Sequence, residues 1–263
     1  RMIHATYHIL AQAGEASRIA REITLEQTVE VPESFVTDER IRREVVGQVE
    51  AVEPLPGEAG RFAVRIAYNG DLASGQLPQL LNLLYGNISI KPGIRLVDFD
   101  LPKALLVRFG GPRYGVEGLR ALAGVYGRPL LATALKPRGS SAAALAALAG
   151  AFALGGGDII KDDHNLVDAD FDTWRERVSR SHEAVEAANA RTGRRALYLP
   201  NLLLRAGDFD RHLEFLVNQG VAGALVSPML IGFDTTRWIA ERYPLALMAH
   251  PAVSGVYYTD RQH

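Results

Sequence analysis

From residue 115 onward the sequence repeats one unit, a short apolar stretch that ends in polar residues and is followed by an amphipathic helix. That rhythm is satisfied by a parallel sheet with helices laid against it. The apolar stretches 130–135, 158–161, 196–199, 222–226 and 245–249 are predicted as strands, separated by roughly 25 to 40 residues as βα repeats require. Between 170 and 193, Trp174, Val178, Val185 and Ala188 share one helical stripe; between 208 and 220, Phe209, Leu213, Leu216 and Val217 share another. Gly193 and Gly220 stop these helices.

Each predicted strand runs into polar residues: Lys136-Pro137-Arg138, Lys161-Asp162-Asp163-His164-Asn165, Pro200-Asn201, Ser227-Pro228 and His250-Pro251. In a (β/α) barrel these are the C-terminal strand ends, where active sites lie. A doubly wound sheet is the competing architecture, yet no glycine-rich phosphate loop opens a helix after the first strand. Gly155-Gly156-Gly157 follows a helix and precedes a strand, which is the order of a helix stop and tight turn.

The first part of the chain has another period. Residues 61–68 alternate, placing Phe62, Val64, Ile66 and Tyr68 on one face of a half-buried strand. The stretch 44–52 is expected to pair with it antiparallel through a turn containing Pro54, Pro56 and Gly57, and 77–85 is predicted as a helix. His4 and His8 fall in a segment that reads as a strand, so their four-residue spacing is not that of a helical metal pair. The expectation is an α/β chain: an α+β, ferredoxin-like domain over 1–114, then a (β/α)8 TIM-barrel domain over 115–263 that is truncated after about five strands. The start at Arg1 reads as a tag remnant or a trimmed end.

Composition narrows the partners. With 29 Lys and Arg against 30 Asp and Glu, the net charge is -1, so no global pull toward nucleic acid or an anionic membrane is expected. Small molecules are the expected partners. The longest apolar run, 142–154, is rich in alanine and falls short of the roughly 20 residues of a membrane span. The absence of cysteine excludes disulfides, thiolate metal sites and thiol nucleophiles, and fits the expected cytoplasmic location.

Lysines at two adjacent strand ends are costly to bury unless paired or shifted in pKa. Lys161, Asp163 and His164 gather potential ligands within four residues. They make a hard-metal site if the lysine becomes anionic, and a solvated loop start otherwise.

The run Gly156-Gly157-Asp158-Ile159-Ile160-Lys161-Asp162-Asp163-His164 resembles the signature of the RuBisCO large-chain superfamily, in which the lysine becomes a carbamate and binds Mg²⁺. Tyr126-Gly127-Arg128-Pro129-Leu130-Leu131, followed by Leu135-Lys136-Pro137-Arg138-Gly139, is similar to the strand-one segment of that family. Glu26 in Leu25-Glu26-Gln27 and Asn87 in Tyr85-Gly86-Asn87 resemble N-domain residues that complete the site of a partner subunit. The resemblance covers nearly the whole chain. It implies Lys161 as a ligand carbamylated by CO2, Asp163 as a second ligand, Lys136 as the acid–base lysine and His250 as the strand-five active-site histidine. It also implies a homodimer in which Glu26 and Asn87 serve the neighbouring chain.

Two positions depart from the family pattern. His164 replaces a glutamate ligand, and its nitrogen suits Mg²⁺ poorly, so Mg²⁺ or another divalent metal is implied. Pro251 replaces an arginine that grips a substrate phosphate. CO2 fixation on ribulose bisphosphate is therefore not expected. The resemblance implies a RuBisCO-like protein of form IV type that enolises, isomerises or decarboxylates another carbonyl substrate, a keto sugar or sugar acid. A non-catalytic ligand-binding or sensor protein on the same scaffold is the second reading.

Overall fold

In β1 (Met2–Leu10), Ile3, Ala5, Tyr7 and Ile9 are buried while the residues between them are only partly so, and this alternation decides which face of the first sheet receives helices. The computed structural model describes residues 2–12 and 14–256, and the chain divides into two units, Arg1–Gly110 and Gly111–His263. The Arg1 start and residues 257–263 of the expected barrel domain lie outside the described residues.

In the first unit, β1 is followed by α1 (Ala16–Glu26), β2 (Gln48–Pro54), β3 (Arg61–Asn69), α2 (Leu77–Leu84) and β4 (Ile94–Asp100). The strands form an antiparallel sheet in the order β2-β3-β1-β4, the ferredoxin-like βαββαβ arrangement. Ala16, Ala20 and Ile23 of α1, with Leu80, Leu83 and Leu84 of α2, pack on its apolar face. Val64, Ile66 and Tyr68 are buried there and Phe62 is partly so. The Tyr7 hydroxyl donates to the Leu84 carbonyl at 2.9 Å, tying β1 to α2. The predicted strand over 44–52 begins only at Gln48. Before it, Glu39–Glu44 is helical because the Asp38 carboxylate accepts from the Arg40 N–H at 2.7 Å and caps that turn.

In the second unit, α3 (Gly115–Ala123) precedes β5 (Ala132–Leu135), α4 (Ala142–Leu154), β6 (Ile159–Asp162), α5 (Phe171–Thr192), β7 (Leu197–Leu199), α6 (Phe209–Asn218), β8 (Gly223–Val226), α7 (Phe233–Arg242) and β9 (Ala246–Ala249). β5, β6 and β7 pair in parallel, as do β8 and β9. An Asn201–Leu225 bridge links the two sets, so five parallel strands follow one another in chain order, as in a barrel. All the predicted strands are present, shifted or shortened by one or two residues. On α6 the stripe differs from the expectation: Phe209, Leu213 and Leu216 are buried, but Val217 is exposed and His212 takes the buried position instead. His212 is held there because its Nδ1 lies 2.6 Å from the Asp208 carbonyl.

Helix ends follow local chemistry. The Asp170 carboxylate accepts from the Thr173 N–H at 2.8 Å to start α5, and Gly193, at φ +70°, stops it. At the turn between α4 and β6, the Phe152 ring fills the space that a side chain on Gly157 would need. Among the described residues, no helix is long and apolar enough to cross a membrane.

The helix side of β6 buries a charge. Asp162 is 0% exposed, and a buried carboxylate persists only when its oxygens are satisfied. It accepts from Arg177 Nη1 at 2.6 Å, the Tyr198 hydroxyl at 2.8 Å and the Asn201 N–H at 2.9 Å. Arg177, also buried, donates to Asp168 from Nε at 3.0 Å and Nη2 at 2.9 Å. Replacing the cation alone leaves Asp162 charged and unpaired, so Arg177→Met is expected to cost about 3–5 kcal/mol of unfolding free energy. Urea denaturation measures this, and a loss below about 1 kcal/mol would show that the pair contributes little.

Candidate active site

Strand alternation sorts the side chains of β6 between two environments. Ile160 packs with residues of α4 and α5. Ile159 instead joins Leu197, Leu199 and Ala123 in a separate cluster, with Leu130 and Met248 packed against it, which is the inner face of the strand row. Asp162 shares the helix side with Ile160, and Lys161 shares the inner side with Ile159, emerging at the C-terminal end.

Four further predicted residues meet Lys161 there. Lys136, following β5, places Nζ 2.5 Å from Asp163 Oδ2, and the pair joins a largely exposed lysine (65%) to a largely buried carboxylate (8%). Asp163 Oδ1 accepts from the Asn165 N–H at 2.9 Å and lies 3.4 Å from His164 Nδ1. The His164 ring stacks on His250, which follows β9, with centroids 4.1 Å apart and planes 15° from parallel. Lys161 Nζ donates to the Asp162 carbonyl at 3.2 Å. The Ala252 N–H donates to His250 Nδ1 at 3.1 Å, which leaves Nε2 to carry the proton of the neutral ring.

The electrostatics separate these groups. Burial pushes the half-buried Lys161 ammonium below its ordinary value; Asp163 opposes the shift and the Lys136 charge adds to it. Burial works to raise Asp163, yet the Lys136 ammonium and the Asn165 N–H hold its carboxyl below the usual range. Burial also lowers His250, and its neighbours His164 and Lys161 lower it further.

Whether a divalent cation fits depends on Lys161. Among the described residues, no three His, Asp or Glu side chains converge as a metal-binding group. Asp163 and His164 supply one oxygen and one nitrogen donor side by side. A Lys161 amine that loses its proton readily is the form that attacks CO2, and the carbamate would add anionic oxygen. With that addition the donors fit a divalent cation that accepts nitrogen.

Glu26 and Asn87 lie together in the first unit. Asn87 Nδ2 donates to Glu26 Oε1 at 3.1 Å, and Lys91 Nζ is 3.8 Å from Glu26 Oε2. Gln27 joins the two segments, donating to the Asn82 and Leu83 carbonyls and accepting from the Ile88 N–H. A side chain on Gly86, at φ +28°, would meet the Asn82 carbonyl and the Gln27 amide, so this approach requires glycine.

Sequence reasoning gave no role to Asp162, Arg177 or Asn201. A signal for Arg177 existed: it lies on the α5 stripe with Trp174, Val178 and Ser181, where an arginine must find an anion.

Residues 115–263 match the family described as ribulose bisphosphate carboxylase large chain, catalytic domain. The chain belongs to the RuBisCO large-chain family. It is 40% identical over 254 residues to a ribulose bisphosphate carboxylase-like protein 1 of Rhodopseudomonas palustris, covering 96% of this chain and 68% of that relative. A relative in Rhodospirillum rubrum, named 5-methylthioribulose-1-phosphate isomerase, is 36% identical over 255 residues, with 96% of this chain and 68% of that relative covered. The crystal structure of a Rubisco-like protein from Rhodopseudomonas palustris superposes with a TM-score of 0.86 at 42% identity, covering 97% of this chain and 70% of that one. The RuBisCO likeness thus includes both units.

His250 is expected to titrate below the ordinary histidine value of about 6.5 when followed by its ring-proton NMR signal. Because its folded-state pKa is depressed, the unfolded chain binds more protons, and this contribution to stability is lost as pH falls through the folded value. His164→Gln removes one of the neighbours that lower His250 and is expected to move its midpoint back up. An unchanged midpoint would leave burial and the lysine charges as the causes.

Proposed function

We propose that this RuBisCO-like chain is an enzyme that removes a proton or a carboxylate next to the carbonyl of a keto sugar or sugar acid, generating an enediolate without fixing CO2. The observation that carries this reading is the convergence of Lys136 and Lys161, two lysines in unlike environments, on the Asp163 carboxylate beside the His164–His250 pair. The isomerase name of the Rhodospirillum rubrum relative supports the same class of chemistry.

Lys136, largely exposed where it pairs with Asp163, is the acid–base group that moves the proton at the reacting carbon. His250, whose burial disfavours the charged ring, offers Nε2–H to a substrate oxygen. Carbamylated Lys161, Asp163 and His164 would hold a divalent cation, Mg²⁺ or one more tolerant of nitrogen, which when bound supplies Lewis-acid stabilisation of enediolate charge. Pro251 offers no cation to a phosphate at its position, which favours the less phosphorylated of two candidate classes, 3-oxo sugar acids over methylthio-pentulose phosphates.

The functional unit in this reading is a homodimer, with Glu26 and Asn87 of one chain completing the site of its partner. Their hydrogen-bonded pairing keeps a carboxylate and an amide together, the groups for a general acid and a carbonyl contact.

His164, at the position of a glutamate ligand in the family pattern, permits a second reading, a non-catalytic ligand-binding or sensor protein. Metal titration with and without bicarbonate separates the two, because only the carbamate reading makes affinity depend on bicarbonate.

Lys161→Ala and Asp163→Ala are each expected to lower deuterium exchange into the accepted keto substrate by about a thousandfold or more, with unfolding still cooperative. Full exchange in both variants would sink the mechanism. Mixing inactive Glu26→Gln and Lys161→Ala chains is expected to restore about a quarter of wild-type activity after subunit exchange, since about half of random dimers are hybrids with one intact site. No recovery after demonstrated exchange would mean that each chain works alone.

A further inference from the structure

Asp163 and His164 occupy a loop whose fastening comes from another strand end. Asn201, two residues beyond β7, is 2% exposed. Its N–H donates to Asp162 at 2.9 Å, and its Nδ2 donates to the His164 carbonyl at 3.0 Å and the Leu166 carbonyl at 3.2 Å. Turning the carboxamide over would set Oδ1 against those carbonyl oxygens, so the two acceptors dictate its orientation. Oδ1 is then left buried without a partner. An unpaired buried acceptor is unfavourable, and the arrangement keeps it to retain both donations to the loop.

Neighbouring contacts hold Asn201 in turn. Trp174 Nε1 donates to its carbonyl at 3.4 Å, and its backbone bridges Leu225. These contacts use the backbone of Asn201, so the strand row does not need its side chain. The side chain is committed to residues 164 and 166, directly after Asp163.

We propose that Asn201 is a positioning residue: its carboxamide sets the 164–166 backbone and thereby brings the Asp163 carboxylate to Lys136 and the His164 ring onto His250. The inference rests on reading this strand end as the site, but its claim is geometric and is measured without substrate or metal.

The test uses the full chain and the ring-proton NMR signals of its seven histidines, recorded at a pH above their titration. His164→Gln and His250→Gln identify the stacked pair, whose rings shift one another's signals upfield. Asn201→Asp keeps the shape and the backbone bonds but turns a donor into an oxygen facing two carbonyls. The upfield shifts are expected to collapse toward those of exposed histidines, and amide hydrogen exchange at 163–166 to accelerate at least tenfold, while β6 and β8 keep their protection. Asn201→Ala removes the donors without adding charge; it is expected to show the same changes in smaller measure, and it decides the matter if Asn201→Asp does not fold. Wild-type ring shifts and loop exchange in a folded variant would overturn the proposal, as would equal loss of protection in β6 and β8, which marks a general structural role. If shifts and exchange respond as expected but the wild-type chain exchanges deuterium into no keto substrate, the enolisation reading fails and the positioning role stands.

Discussion

A carboxylate sealed from water at the end of β6 organises the second unit. Asp162 must keep Arg177, Tyr198 and the Asn201 N–H around it, because a buried charge with empty hydrogen-bonding positions is among the costliest features a fold can carry. Those partners come from α5, β7 and the segment after β7, so satisfying one side chain brings three parts of the chain together. With Asp162 committed to the helix side, alternation turns Lys161 toward the inner face. The direction of Lys161 is therefore set by the burial of its neighbour Asp162.

On the inner side the electrostatics are arranged by difference. Lys136 and Lys161 share Asp163 as a neighbour, yet Lys136 is largely exposed and paired to it, whereas Lys161 is half-buried and held below the ordinary lysine value. In the proposed reading that contrast separates a proton carrier from an amine available to CO2. The His164–His250 stack brings the loop after β6 to the end of β9. Where the RuBisCO pattern that this chain resembles has a glutamate and an arginine, this chain has His164 and Pro251.

The first unit is built on a similar economy of groups. Gln27 and Gly86 let the end of α1 approach the turn that carries Asn87, and Glu26 then receives the Asn87 amide. A carboxylate and an amide held in mutual contact are restricted in advance, which in the proposed reading lowers the ordering cost of using them.

The strands of the second unit were legible because buried parallel strands are short apolar runs, and a run does not depend on its partner. The Lys161, Asp163, His164 cluster and Lys136 were legible as polar residues at the ends of such runs, and the motif around them carried the family. Less came through at the edges. β4 is an edge strand with only partly buried or exposed residues, so its alternation is weak, and the strand expected from residue 44 starts at Gln48 because the Asp38 cap favours a helical turn first. Asn201, Arg177 and the stacking of His164 on His250 depend on residues far apart in sequence: Asn201 lies 39 positions from Asp162, and Arg177 lies 15 from it. Local periodicity records which face of an element is apolar. The tertiary structure alone decides which polar group on one strand end comes within hydrogen-bonding distance of another, because that distance is set by the packing of whole βα units.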